Sequence, residues 1–279
     1  MLMDILKSAV DENKRKGISH IVIANVLKET LQYYVMNYIY NGPYGQNLLF
    51  TGGSCLRFCF GLNRLSEDLD LDWEEKEVDR EELAQAILKY FRIQLQMANV
   101  EYAVKGKGEK LYLKFPILGS LGLSGQGFPE KLFVKVEIEQ NASKHYGTDL
   151  SPVSRYDLNF IVRHYDLPTL MASKIAAVLG RTFKKGHGDR VTFKGRDYYD
   201  LFWYLQKGVK PNMERVEDLT GISSAHALKE ALKEKVHSIH PPHLKEDLLP
   251  LFEDGTFVEN YVLHYQTLTL RALDFPQFF

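Results

Sequence analysis

Apolar and polar positions alternate with two different periods, and the change of period divides the chain. In the first part, short apolar or alternating segments are typical of strands with a buried face. They predict strands at residues 47–51, 69–73, 100–106, 109–117, 131–139 and 155–164. From about residue 167 the apolar period is close to 3.6 residues. This predicts helices at residues 168–181, 197–206, 223–235, 243–253 and 257–273.

Helical periodicity also occurs before and within the strand-rich part. It predicts helices at residues 3–14, 19–41 and 79–97, with Gly17 and Gly42-Pro43 as stops. The fold class expected is therefore α/β or α+β, with a mixed sheet flanked by helices and a mainly helical C-terminal half. We expect two domains, residues 1–166 and residues 167–279.

Composition narrows the class of protein only a little. The 279 residues are 45% hydrophobic, which is enough for a sizeable core, and the net charge of −1 gives no overall preference for nucleic acid or membrane. The two cysteines, Cys55 and Cys59, share one helical face, which favours free thiols over a disulfide. No apolar run is long enough to span a membrane and no signal peptide is evident. The expected location is therefore the cytoplasm.

The segment LLFTGGSCLRFCFGLNRLSEDLDLDW, residues 48–73, carries the first candidate chemistry. On a strand, Asp68 and Asp70 point the same way, so their carboxylates repel each other unless a cation is supplied. Adjacent carboxylates suit Mg²⁺, which takes one or two of them together with substrate phosphates. Asp72 shares their face but lies further along, and we expect it to have a structural role or to lie in the outer shell of the metal site. The alternative is an edge strand whose acids face water.

Two glycines and a serine precede this strand. Gly52, Gly53 and Ser54 lie between a short apolar strand and a helix, where free N–H groups favour an anion such as phosphate. Ser54 is expected to cap the helix and to donate to a phosphate. The alternative for the triplet by itself is a tight turn with a helix cap. Together with the aspartates, it places a phosphate cradle beside a cation site.

A two-metal site needs a third carboxylate, and the strand KLFVKVEIEQ offers two. Its apolar residues face one way, while Lys135, Glu137 and Glu139 face the other. Glu137 is the first choice and Glu139 the second. An ordinary exposed strand face is the alternative for either of them.

These motifs together resemble the AbiEii/AbiGii toxin family of nucleotidyltransferases, within the DNA polymerase β-like superfamily. The resemblance covers roughly residues 45–205 and depends on the order of several short segments. The first segments are the glycine turn and Arg-x-Ser-x-Asp-x-Asp, formed here by Arg64, Ser66, Asp68 and Asp70. The later segments hold Lys174, and then Arg196, Asp197 and Asp200 in GRDYYDLFWYL. Residues beyond about 210 match nothing in the family pattern.

The resemblance implies a metal-dependent enzyme that transfers NMP from an NTP to an acceptor hydroxyl, with Mg²⁺ or Mn²⁺ as cofactor. It also implies the toxin of a bacterial toxin–antitoxin or phage-defence system with a cognate antitoxin, and some relatives act on tRNA. Residues 167–279 would complete the NTP pocket. The expected metal ligands are Asp68, Asp70 and Glu137, and the expected NTP-binding residues are Gly52, Gly53, Ser54, Arg64, Ser66, Lys174, Arg196 and Asp200.

Lys174 lies on the helix that begins near Thr169, on a partly buried face. A buried lysine needs a partner, and a triphosphate is a suitable one. Asp197 is expected to cap the next helix, while Asp200, one turn in, is expected to orient Lys174 or an arginine. The alternative for Lys174 is a surface lysine with a buried stem.

A basic segment separates these two helices. Residues 181–196 contain six Lys or Arg residues and one Asp, a local net charge of +5. Lys184, Lys185 and Arg190 are the candidates for binding an RNA acceptor, and a solvated basic loop is the alternative. Two other functions stay open: a nucleotidyltransferase acting on a small molecule or protein, and an inactive nucleotide-binding module. Transfer assays with different acceptors would separate them.

Overall fold

The computed structural model describes residues 1–106, 110–125, 129–180 and 193–275. The chain divides into two compact units. The first comprises Met1–Asn141 and Asp149–His164, and the second comprises Ala142–Thr148 and Tyr165–Phe279. The predicted domain boundary at residue 166 stays a prediction, and each unit is described by itself.

The first unit holds the sheet and four helices. The helices are α1 (Leu2–Arg15), α2 (His20–Tyr40), α3 (Gly52–Phe60) and α4 (Arg80–Lys89), the last continued by a π-helical turn at Tyr90–Gln94. The strands are β1 (Leu48–Thr51), β2 (Asp68–Trp73), β3 (Glu101–Lys105), β4 (Lys110–Phe115), β5 (Leu132–Gln140), β6 (Thr148–Arg155) and β7 (Leu158–Tyr165). The mixed α/β fold class expected from the sequence is confirmed.

The seven strands form one mixed sheet in the order β3-β4-β5-β2-β1-β7-β6. Strand β2 pairs antiparallel with β1 and parallel with β5, so it lies at the centre. Apolar and acidic residues alternate along β2. Leu69 and Leu71 are buried on one face of the sheet, while Asp68 and Asp70 are partly exposed on the other. The predicted acidic and apolar faces of this strand are therefore confirmed.

Strand β6 was not predicted from the sequence. Six of its eight residues are exposed and it contains Pro152, so it lacks the alternating burial that marks β2, β4 and β5. It lies at the end of the sheet order, where a proline does not interrupt pairing on both sides. The sequence signal of this edge strand is weak because little of it faces the core.

The second unit contains six α-helices within the residues that the structure describes. They are α5 (Leu167–Gly180), α6 (Gly195–Gln206), α7 (Met213–Thr220), α8 (Ala225–His237), α9 (Pro241–Leu248) and α10 (Gly255–Asp274). Helix α6 packs against α5, α9 and α10. Its aromatic residues are buried, and Tyr199 meets Phe252 and Tyr261 edge-to-face. They form part of the core of this unit. Helix α7 was missed because it is short and buries only Arg215 and Val216.

No helix within the described ranges has both the length and the apolar character needed to cross a membrane.

Candidate functional site

The acidic face of β2 meets the polar face of β5 across a parallel register. Asp70 pairs with Glu137, and Asp68 pairs with Lys135. Side chains paired in register point to the same side of a sheet and lie about 5 Å apart at their bases. The fold thus brings Asp68, Asp70 and Glu137 together from segments that are far apart in sequence.

Two lysines share this face with the carboxylates. The Nζ atom of Lys135 lies 3.0 Å from Asp68 Oδ2 and 3.2 Å from Glu137 Oε2, and Lys110 Nζ lies 3.1 Å from Glu137 Oε1. Burial alone would raise the pKa of Glu137, but the two lysines lower it. Burial alone would lower the pKa of Lys135, but Asp68 and Glu137 raise it. Both shifts favour the charged forms of Glu137 and Lys135.

Neither lysine was predicted to contribute to the site. Alternation along β5 does show that Lys135 lies on the same face as Glu137. It does not show which residues of other strands meet them, because the pairing of β5 with β2 and β4 depends on contacts between distant segments. That pairing cannot be read from the local pattern.

The carboxylates offer oxygen ligands of the kind that Mg²⁺ prefers. Within the described part of the chain, however, no three His, Cys, Asp or Glu side chains are arranged so that they could hold a metal ion between them. Asp68 and Asp70 fit an ion that takes one or two carboxylates and completes its shell with substrate phosphates. The three-carboxylate centre with Glu137 stays a prediction.

The glycine turn lies directly against this face. Gly52 has φ +73°, a conformation that side chains disfavour, and a Cβ atom there would lie 2.1 Å from Asp70 Oδ2. A Cβ atom on Gly53 would lie 2.4 Å from Nη2 of Arg64. Each glycine therefore makes room for a different charged side chain of the motif.

Helix α3 begins at Gly52 and its N-cap is Thr51, so the expectation that Ser54 caps it was wrong. Ser54 is fully buried inside the first turn. Its hydroxyl donates to the carbonyl oxygen of Asp68 and lies 2.8 Å from the hydroxyl of Ser66. These bonds tie the start of α3 to the start of β2.

Arg64 is also buried, with 1% of its surface exposed. Its Nη1 atom donates to the carbonyl of Leu65 at 2.9 Å, and its guanidinium lies under Gly53. Arg64, Ser54 and Ser66 thus pack beneath the glycine turn and support it. Their contact with phosphate stays a prediction.

The second unit holds another charged cluster. Lys174 Nζ on α5 lies 2.8 Å from Asp197 Oδ1 and 2.9 Å from Asp200 Oδ2 on α6. Side-chain exposure is 12% for the lysine, 3% for Asp197 and 0% for Asp200. The expected contact between Asp200 and Lys174 is present. Since α6 begins at Gly195 with Lys194 as its N-cap, the expectation that Asp197 caps this helix was wrong.

The remaining candidates are less defined. Arg196 is the second residue of α6 and is partly exposed. Lys184, Lys185 and Arg190 lie outside the described residues, so their role in binding an acceptor stays a prediction.

Comparison with known proteins identifies the class to which this site belongs. The model of the AbiEii nucleotidyl transferase toxins, which act in type IV toxin–antitoxin systems, matches residues 35–271. Because this match covers most of the chain, the protein belongs to the AbiEii family. The resemblance inferred from the motifs is confirmed, and the chain is a nucleotidyltransferase toxin of that type. Among curated protein sequences, none matches this chain.

The solved structure of one nucleotidyltransferase toxin supports the fold. The nucleotidyltransferase toxin MenT4 from Mycobacterium tuberculosis is 13% identical, with a TM-score of 0.59 over 96% of this chain and 90% of its own. JHP933 from Helicobacter pylori is 16% identical, with a TM-score of 0.47 over 89% of this chain and 91% of its own. At such identities, the likeness to MenT4 shows a shared fold.

Proposed function

We propose that the protein is a metal-dependent nucleotidyltransferase that transfers NMP from an NTP to a hydroxyl group of an RNA acceptor, with tRNA as one candidate. The observation that carries this proposal is the parallel pairing of Asp70 with Glu137 beside the Gly52 turn. It joins carboxylates that suit a divalent cation to a helix start that suits phosphate.

Asp68 and Asp70 would hold Mg²⁺ or Mn²⁺, and Glu137 would complete the acidic face and assist in deprotonating the acceptor. When bound, the ion neutralises the charge that develops on the transferred phosphoryl group. Charge neutralisation and alignment then supply most of the rate acceleration, as in other phosphoryl transfers.

The phosphates of the NTP would lie at the start of α3. The helix dipole and the free N–H groups of its first turn favour an anion there, and the glycines let a phosphate approach the backbone. Lys174 would supply the positive charge for the β- and γ-phosphates. Asp200 would orient Lys174, and Arg196 would add a further phosphate contact.

We propose RNA as the acceptor because of the positive charge of one segment of the chain. The basic segment at residues 181–196, which ends at the second residue of α6, has a local net charge of +5, which suits a polyanion. In the cell, we propose that the toxin acts in the cytoplasm beside a cognate antitoxin, as part of phage defence.

The test is transfer from each of the four α-labelled NTPs to an RNA pool at several salt concentrations. We expect steep salt dependence, because each phosphate contact adds about 0.7 to the log–log slope for a single strand and about 0.9 for a duplex. Replacing Lys184, Lys185 and Arg190 with Ala should flatten that slope by roughly two to three units, while NTP binding is kept.

A matched control removes the same charge elsewhere. Lys7, Lys89 and Lys210 are exposed, and replacing them with Ala changes the net charge equally. This control should keep the wild-type slope. If both triple variants behave like the wild type, the basic segment is not the RNA site. Labelling of a small molecule or protein instead of RNA would move the acceptor to that class.

A further inference from the structure

Lys135 lies between two of the carboxylates assigned to the metal. Its Nζ atom is 3.0 Å from Asp68 Oδ2 and 3.2 Å from Glu137 Oε2. Lys135 is on β5, two residues before Glu137, and pairs in register with Asp68 on β2. Its ammonium group therefore links the two strands. No other described lysine contacts both carboxylates.

The three groups of the bridge are partly exposed to water, and to a similar degree. Side-chain exposure is 22% for Lys135, 22% for Asp68 and 20% for Glu137, compared with 39% for Lys110 at the outer side of Glu137. An ammonium group held in this way is a fixed positive charge within the acidic face. It neutralises the charge that a divalent ion would otherwise meet there.

An ion and this ammonium would compete for the same ligands. A Mg²⁺ or Mn²⁺ ion shared by Asp68 and Glu137 would need Asp68 Oδ2 and Glu137 Oε2, the two oxygens that Lys135 Nζ contacts. A divalent ion within about 3 Å of an ammonium also experiences strong repulsion. A second ion can therefore bind only if Lys135 leaves.

We propose that Lys135 takes the place of a second divalent ion, so that the acidic face holds a single ion at Asp68 and Asp70. This inference rests on the proposed function, since it concerns the same acidic face. Lys135 is then a positioning residue: it neutralises Glu137 and holds Asp68 in place, while the divalent ion serves the substrate phosphates.

Mn²⁺ binding tests the inference without any need for activity. The stoichiometry and affinity of Mn²⁺ are measured by electron paramagnetic resonance on the full chain, as wild type, Lys135→Met and Lys110→Met. We expect one ion for the wild type. For Lys135→Met we expect either a second ion or affinity increased about tenfold, since a like charge is removed from the site. Lys110→Met, the control, should keep one ion and change affinity less than about threefold.

Two further variants guard against a folding defect. Lys135→Gln also removes the charge and should behave like Lys135→Met, while Lys135→Arg keeps the charge and should keep one ion. Circular dichroism shows which variants are folded.

Two ions on the wild type, or unchanged binding in both neutral variants, would overturn the inference. The proposed function would still stand if Asp70→Asn abolished Mn²⁺ binding. If no variant binds Mn²⁺ while transfer continues, the proposed function itself fails.

Discussion

The two units each hold a lysine between two carboxylates, and the two clusters differ in how far water reaches them. In the sheet, Lys135 contacts Asp68 and Glu137 at 3.0 and 3.2 Å, and about a fifth of each side chain is exposed. Between the helices, Lys174 contacts two carboxylates at 2.8 and 2.9 Å, and Asp200 has no exposed surface at all. The contacts are alike in length, but the surroundings are not.

This difference separates a cluster that can take up another cation from one whose lysine and carboxylates stay paired with each other. Breaking a buried ion pair leaves an uncompensated charge in a low-dielectric interior, which costs about 3–5 kcal/mol. A pair that water reaches costs far less to open, about 1 kcal/mol or less. The sheet cluster is therefore suited to take up a cation and substrate, whereas the helical cluster fixes Lys174 in one place.

The largest effect expected from this comparison is the loss of Lys174. Lys174→Met should lower the free energy of unfolding by about 3–5 kcal/mol, because Asp197 and Asp200 would be left without that ammonium. Lys135→Met should lower it by about 1 kcal/mol or less. Urea unfolding of both variants measures the difference. Equal losses would mean that burial does not distinguish the two clusters.

Replacing Lys174 also tests whether this residue binds the phosphates of the NTP. Lys174→Ala should weaken NTP binding by roughly 1.5–3 kcal/mol, the usual value of a charge-assisted phosphate contact. Calorimetry with a non-hydrolysable NTP and Mg²⁺, under conditions where the variant is folded, measures this. Unchanged affinity would leave Lys174 with a structural role only.

The next effect concerns chemistry in the sheet cluster. Asp70→Asn should slow transfer by about a hundredfold or more, since a charge needed for the metal ion is lost from the acidic face. Its melting temperature should stay close to that of the wild type because the side chain is partly exposed. Asp72→Asn, on the same face but further along β2, is the control and should keep its rate within about threefold. Wild-type rates in Asp70→Asn would remove Asp70 from the metal site.

A smaller effect tests the contact between the glycine turn and the acidic strand. Gly52 and Gly61 have nearly the same backbone angle, with φ +73° and +75°. A Cβ atom would collide with Asp70 at the first position and would meet nothing within 4 Å at the second. Replacing either with Ala should cost about 1–2 kcal/mol of stability from backbone strain. Only Gly52→Ala should also slow transfer. Equal rates in both variants would show that Asp70 tolerates displacement.

The smallest effect is a dependence of stability on pH. Glu137 has a lowered pKa in the folded protein, so its ionised form contributes stability above its unfolded pKa. That contribution is lost as pH falls through the folded pKa, below about pH 4.3. The gap in unfolding free energy between wild type and Glu137→Gln should therefore be widest at neutral pH and narrow on acidification. A constant gap would contradict the lysine contacts as its cause.

The local pattern predicted most elements, and the exceptions have physical reasons. Strand β6 and helix α7 bury too few residues to leave a periodic signal. The helix starts were misplaced by two residues at both Gly52 and Gly195. In each case a glycine begins the helix, and the polar residue two positions later was taken as the cap. The N-cap residues Thr51 and Lys194 make no side-chain capping hydrogen bond, so neither start carries the usual capping signal.

The sequence by itself determined the alternating faces of β2 and β5, the order of the motifs and the family to which they belong, because these depend on spacing along the chain. Only the tertiary structure decided which residues meet. The parallel register places Glu137 beside Asp70 and Lys135 against Asp68, and α5 packs so that Lys174 lies between Asp197 and Asp200. Strand register and helix packing are set by burial of distant apolar residues against each other, and this information is not local to any motif.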